Sequence, residues 1–149
     1  MGVRRSAWVA VVMCALFAAS AALAQQKDTV ARTLEQADCP LTLETLDLAH
    51  DDRGSTLKLR VLNEGSAEVT RYAINAWVVL PDGTLKGAQK FDQRQAITAG
   101  ANREVSLTIR TIRVAPTDTV VVGVLETQGD AWKGDAKALE AEARALVKK

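Results

Sequence analysis

Hydrophobic and polar residues alternate along most of the chain between residues 39 and 125, which is typical of strands with one buried and one solvated face. In residues 57–61, for example, three aliphatic residues alternate with Lys58 and Arg60. Clusters of Pro, Gly, Asn and Asp separate these runs, as in residues 81–84. Six to seven short strands without intervening helices predict a mainly β fold, an immunoglobulin-like antiparallel β-sandwich over residues 39–134. A small barrel is the alternative.

Two strands depart from simple alternation. Leu41 and Leu43 fall on one parity and the next two leucines fall on the other, which predicts a bulge or a change of sheet near Thr45. Residues 120–125 are apolar at every position except Gly123. A strand of this kind is expected at the centre of the fold, with both of its faces covered.

The segment before the strands is polar, and its few apolar residues are widely spaced. Val30, Leu34 and Ala37 lie four and then three positions apart, which is helical spacing. Residues 25–38 are therefore predicted to be a flexible or weakly helical lead-in.

The periodicity changes again at the other end, where residues 135–149 predict a helix capped by Asp135. The strand over residues 72–80 carries apolar side chains on both faces, whereas a sandwich covers only one. We therefore expect the helix to pack on the second face through a stripe that includes Leu139 and Leu146.

The first 24 residues have the organisation of a secretory signal peptide. A basic pair, Arg4 and Arg5, precedes an apolar run of 13 residues, and small residues lead to a cleavage site between Ala24 and Gln25. This run is shorter than the roughly 20 residues that span a bilayer. The sequence thus predicts a periplasmic or secreted protein with no stable membrane insertion after cleavage.

Charge and cysteine content narrow the possible partners. Removing the signal peptide leaves 17 basic and 18 acidic residues, a net charge of −1 with no basic cluster, so a nucleic-acid partner is not expected. Cleavage also removes Cys14 and leaves Cys39 alone, so no disulfide forms within the mature chain. Cys39 is either a small buried hydrophobe or an intermolecular contact.

Residues that could carry chemistry are few. His50 is followed directly by Asp51 and Asp52, and consecutive side chains do not point at one centre, so no metal site is predicted. The serines occur in no G-x-S-x-G setting, and no phosphate-binding or dinucleotide motif is present, so no cofactor is expected.

Two acidic pairs could in principle meet as glycosidase-like carboxylates. These are Glu64 with Glu68, and Asp118 with Asp130. The mature chain has only four aromatic residues with which to line a sugar cleft, so this interpretation is disfavoured.

Trp77 and Trp132 are the candidate binding residues, because tryptophan is enriched at binding hot spots. Trp77 lies on the second face of the strand over residues 72–80, and Trp132 lies in a glycine-flanked connection before the helix. Packing within the fold is the alternative for both.

Part of the chain resembles the secreted bacterial FxLYD-type sandwich modules. The resemblance covers about fifty residues, in which a strand ends in Asn and a small-residue turn, and a longer strand then closes in Asp-Gly. The segments that carry it are 57–65, 72–80, 81–85, 97–100 and 105–109. It implies an exported sandwich domain and supplies no catalytic residues.

Three classes of function are compatible with the sequence. The first is an exported noncatalytic binding or assembly module with a protein partner in the cell envelope. The second is a chaperone-like or structural accessory subunit that uses an edge strand. The third is an unrecognised enzyme. The lack of catalytic motifs favours the first class.

Overall fold

The computed structural model describes residues 29–148. The predicted signal peptide, its cleavage site between Ala24 and Gln25, and residues 25–28 of the lead-in lie outside the described residues. The described part is mainly β, with two sheets and a C-terminal helix, which confirms the predicted sandwich with a helix at its end. Its elements are β1 (Val30–Thr33), β2 (Leu41–Asp51), β3 (Gly54–Asn63), β4 (Val69–Val79), β5 (Leu85–Gln93), β6 (Asn102–Ile109), β7 (Thr119–Gly129), β8 (Trp132–Lys133) and α1 (Ala136–Lys148).

The strands form two sheets. Sheet I has the order β1-β7-β4-β5, and β8 also pairs with β7; sheet II has the order β2-β3-β6. Neighbouring strands are antiparallel except β1 and β7, which are parallel. The core lies between the sheets, where alternate residues of each strand meet. Its fully buried members include Leu57, Leu59, Ile74, Val78, Val120 and Val122.

The predicted irregularity in β2 is confirmed. The register between β2 and β3 shifts between Thr45 and Asp47. A strand whose apolar residues change parity must gain one residue if both halves are to face the core, and a bulge provides that residue. Leu41 and Leu43 are buried, and Leu48 packs against the same core after the bulge.

The prediction of a weakly helical lead-in is wrong for residues 30–33, which form strand β1. Two to three turns of helix are marginal in water, because few hydrogen bonds compensate the entropy of nucleation. An extended segment gains backbone partners on β7 instead. The spacing of Val30, Leu34 and Ala37 was therefore misleading.

Helix α1 packs on the outer face of sheet I. Its buried residues Leu139 and Ala143 contact a cluster that contains Trp77, Val79 and Val121. Asp135 caps the helix, since its Oδ1 accepts hydrogen bonds from the backbone nitrogens of the second and third helical residues at 3.0 and 3.3 Å. Within residues 29–148, no helix combines the length and apolar character needed to cross a membrane.

Candidate interaction site

One edge of β7 is closed in an unusual way. The edge that faces β4 is paired along nearly the whole strand. The opposite edge is covered first by β1, in parallel register from Val30 opposite Thr119 to Thr33 opposite Val122. The pairing ends where the Leu34 backbone nitrogen donates to the Val122 oxygen at 2.9 Å. This backbone ladder therefore covers only the first part of the edge.

The next position is filled by a side chain instead of a strand. The Gln36 Nε2 donates to the Val124 carbonyl oxygen at 2.7 Å, and the Val124 nitrogen donates to the Gln36 Oε1 at 2.7 Å. A primary amide offers the same donor and acceptor as a peptide group, so Gln36 satisfies both backbone groups of Val124.

Strand β8 closes the rest of the edge. Trp132 and Lys133 pair with Thr127 and Glu126, and the Gly134 nitrogen donates to the Leu125 oxygen at 2.8 Å. We call this outer edge of β7, together with β1, Gln36 and β8, the β7 seam. The seam has three separate pieces, so each covers only a few residues of β7.

Gly123 explains how the segment after β1 lies so close to the sheet. A Cβ atom built on Gly123 would lie 3.1 Å from the Leu34 Cδ1 and 3.2 Å from the Trp77 Cζ3. A larger residue would crowd both side chains. Leu34 packs with the cluster under α1 and so connects the seam to the helix.

A surface groove of about 320 Å³ runs beside the seam. It is lined by Thr33, Leu34, Glu35, Glu142, Ala145 and Leu146. Leu34 and Leu146 are half-buried, whereas Glu35 and Glu142 are exposed. The Arg32 Nη1 donates to the Leu146 carbonyl oxygen at 3.2 Å, which ties β1 to the last turn of α1. The seam and the groove thus form one continuous surface.

Trp77, one of the two candidate binding residues, lies beneath α1 and is only 2% exposed. With the Asn75 amide oriented so that its oxygen faces the indole, the Trp77 Nε1 donates to it at 3.0 Å. This tryptophan packs inside the fold while the helix is docked.

Trp132, the other candidate, is half-buried in β8 and belongs to the β7 seam. Its ring lies against Gly134, where a Cβ atom would come within 2.8 Å of the ring atom Cη2. The ring also borders a shallow depression of about 300 Å³ that Glu126 and Lys133 help to line. It is the more accessible of the two tryptophans.

Cys39 is a free, half-buried thiol that packs against the edge of the main core. Burial raises the pKa of the Cys39 thiol; a backbone hydrogen bond at Leu41 lowers it, and the nearby Asp130 carboxylate adds to the increase. A raised pKa keeps the group in its neutral form, which is a poor nucleophile.

The remaining titratable candidates are spread over the molecule. The His50 Nδ1 lies 2.7 Å from the Ser55 Oγ at the β2–β3 turn. Among residues 29–148, no three His, Cys, Asp or Glu side chains are grouped so that they could hold a metal ion. Glu64 accepts a hydrogen bond from the Thr42 hydroxyl at 2.8 Å, and Glu68 is exposed.

The carboxylate pair of Asp118 and Asp130 is not a site. The two residues flank β7 at its opposite ends, which places them up to about 40 Å apart at the rise of an extended strand. Asp118 is 1% exposed and accepts from the Lys86 Nζ at 2.8 Å and from the Ala115 nitrogen at 2.7 Å. Asp118 therefore has a structural role at the start of β7.

Apart from Trp132, the residues that cover the β7 edge were missed by sequence reasoning, because the lead-in carries no strand signal. One signal was present in the apolar run of β7. A glycine inside a strand often marks the close approach of another segment, and Gly123 does so here.

No protein-family model and no curated protein matches the chain. Several solved structures show partial likeness, including two lipoproteins and a β-glucosidase. The trimeric lipoprotein SadB of Salmonella enterica has a TM-score of 0.46 and 24% identity, and the match covers 56% of this chain and 50% of SadB. The uncharacterized lipoprotein yajI of Escherichia coli has a TM-score of 0.40 and 21% identity, with 69% of this chain and 64% of yajI covered. DesR, a β-glucosidase of Streptomyces venezuelae, has a TM-score of 0.35 and 15% identity, with 46% of this chain and 9% of DesR covered. The match therefore spans less than two thirds of each of these proteins. With every TM-score below 0.5, these likenesses carry no argument about function.

Proposed function

We propose that the chain is an exported, noncatalytic module that binds a protein partner in the cell envelope through the β7 seam and its groove. Export is supported by the basic pair, the apolar run and the small residues before Gln25. The resemblance to FxLYD-type modules is consistent with export and stays a prediction.

The observation that carries the proposal is the way in which β7 is closed. Four residues of β1, one glutamine side chain and two residues of β8 cover an edge whose strand is apolar on both faces. Sheet edges are recognised by extended segments that add a strand, with backbone bonds giving affinity and side-chain pockets giving specificity. The adjacent groove offers such pockets at Leu34 and Leu146.

The same seam supports the second candidate, a chaperone-like or structural accessory subunit. In that role, an extended partner segment would replace β1 on β7. The noncatalytic part of the proposal is supported by the neutral Cys39 thiol and by the structural role of Asp118.

Export is tested by the intact mass of the protein recovered from the envelope or the medium. We expect the mass of a chain that begins at Gln25. A mass that retains residues 1–24, or one that carries a lipid, would contradict the proposed processing.

Binding at the seam is tested by a photoreactive amino acid placed in living cells at the exposed groove residues Glu35 and Glu142. Lys58, exposed on sheet II, is the matched control position. We expect one defined adduct, identified by mass spectrometry, at both groove positions and none at Lys58. Equal labelling at all three positions, or none, would argue against the groove as the binding surface.

A further inference from the structure

Strand β1 is held to the molecule by few contacts compared with the edge that it protects. It pairs over four residues, and Val30 is 46% exposed, whereas only Ala31 and Thr33 turn partly inward. Parallel pairing is also slightly weaker per residue than antiparallel pairing. The opposite edge of β7, by contrast, pairs with β4 over ten registered positions. Release of β1 and the segment after it therefore breaks a small part of the sheet, together with the hydrogen bonds that Arg32, Leu34 and Gln36 make to Leu146, Val122 and Val124.

Release of β1 would leave the outer edge of β7 with unpaired backbone groups. The backbone groups in residues 119–122 that face β1 would lose their partners, on a strand whose valines at 120–122 are fully buried. An unpaired edge of an apolar strand is a template for pairing with another chain. The segment that fits this edge best is one with the sequence of β1 followed by Leu34 and Gln36, because Leu34 lies against Gly123 and Gln36 bonds Val124.

The connector between β1 and β2 favours such an exchange. Residues 34–40 carry the chain from the edge of sheet I to the start of β2 in sheet II. Within them, Asp38 has a φ of 63°, the one positive φ at a non-glycine position in residues 29–148. Asp tolerates this region better than most L-residues but less well than glycine, so some strain remains at Asp38, and strained, short hinge loops promote domain swapping. An extended connector that reaches a neighbouring molecule would release this strain.

We propose that the β7 seam is a strand-exchange interface, in which β1 and Gln36 of one molecule occupy the β7 edge of a second copy of the same chain. This inference rests on the proposed function, because it names the partner of the same seam. Exchange keeps the contacts that β1 and Gln36 make with β7 in the closed monomer and changes only which chain supplies them, while β8 stays on its own chain.

The test uses two pools of processed chain that carry Cys39→Ser, one with Val30→Cys and one with Thr119→Cys. These positions face each other in the β1–β7 register. Neighbouring strands lie about 4.8 Å apart, which is within the Cα separation that a disulfide spans. The pools are mixed at high protein concentration and oxidised mildly. We expect a one-to-one covalent heterodimer. The control mixes V30C with Ser106→Cys, an exposed position on β6 of the other sheet, and should yield no such product.

Two hinge variants give opposite expectations. Asp38→Gly relaxes the closed connector and should lower the heterodimer yield by about fivefold, the factor expected from removing left-handed strain at one residue. Asp38→Pro cannot adopt a positive φ and should shift the chain toward the dimer in sedimentation.

The exchange is overturned if the V30C and T119C pools give no more product than the S106C control while the chain stays monomeric at high concentration. It is also overturned if a dimer forms and crosslinks equally at Ser106, because the interface then lies elsewhere. A third outcome is that the groove crosslinks to a different protein in cells while the purified chain shows no strand exchange. This result would support the proposed function and reject a second copy of the chain as the partner.

Discussion

At the scale of single residues, the pair of Asp118 and Lys86 shows what burial does to a charge. The Asp118 side chain is 1% exposed, and its Oδ2 receives both the Lys86 ammonium and the Ala115 backbone N–H. Removing one partner of a buried pair leaves the other charge without compensation, which costs far more than loss of an exposed pair. Lys86 therefore stabilises the entry into β7 although it lies in β5.

We expect Lys86→Met to lower the free energy of unfolding by about 2–3 kcal/mol. Lys90→Met is the matched control on the same strand, because Lys90 is 48% exposed and its partners Asp92 and Glu126 are exposed by 63% and 40%. Its effect should stay within about 0.5 kcal/mol. Urea denaturation of both variants measures the difference, and equal losses would show that Asp118 does not depend on Lys86.

Cys39 gives a second prediction at this scale. Because burial raises the pKa of its thiol above the ordinary value of 9.0, alkylation of the folded protein should have its pH midpoint above that of the urea-unfolded chain. The folded state holds the proton more tightly, so the stability contributed by the neutral thiol is full below pH 9.0 and is lost as the pH rises through the folded-state pKa. Coincident alkylation profiles would contradict this.

At the scale of elements, helix α1 covers the second apolar face of sheet I. Leu139 is 6% exposed and Ala143 is fully buried, whereas Leu146 is half-buried near the groove. The Arg144 Nε also donates to the Gly83 carbonyl oxygen at 2.9 Å, at the turn between β4 and β5. The helix is therefore fixed at both its centre and its last turn.

Leu139→Ala should destabilise the fold by about 2–4 kcal/mol, because a buried leucine is replaced by a cavity. Leu146→Ala should cost less, about 1 kcal/mol, since that side chain already meets solvent.

A chain that ends at Gly134 should melt at lower temperature and bind more hydrophobic dye, because Trp77 and Val121 become exposed. An unchanged melting temperature after truncation would mean that the helix does not stabilise the sandwich.

Sequence reasoning succeeded where one local pattern decides the outcome. The parity change after Leu43 located the bulge, and the apolar residues on both faces of β4 indicated that a further element covers Trp77. It failed for β1, because the strand forms on an edge 89 positions away that no local pattern encodes. The binding surface could not be predicted for the same reason, since it exists only where β1, β7 and α1 meet.

At the scale of the whole molecule, the two buried clusters share strands β4 and β7. The core between the sheets contains Ile74 of β4 and Val122 of β7. The cluster under α1 contains Trp77 of β4 and Val121 of β7. Because each of these strands packs on both faces, we expect loss of either cluster to destabilise the other. The sandwich and the helix should therefore unfold as one cooperative unit.

If the sandwich and the helix unfold together, a chain that begins at Gln25 should show a single unfolding transition. Tryptophan fluorescence reports Trp77 and Trp132, and far-UV circular dichroism reports the sheets. The urea midpoints of the two signals should coincide within error. An earlier fluorescence transition would show that the cluster under α1 unfolds independently of the sandwich.

The pairing of β1 with β7 also fixes an order of events during synthesis. Gln36 and Val124 are 88 positions apart, so at about 5–20 residues per second the ribosome needs roughly 4–18 s between them. For that time β1 has no partner, and contacts of such long sequence separation form slowly even afterwards. Sheet I stays incomplete until nearly the whole chain has been made. Under the proposed export through a membrane, this delay helps to keep the chain unfolded, because β1 can pair only after β7 has been made.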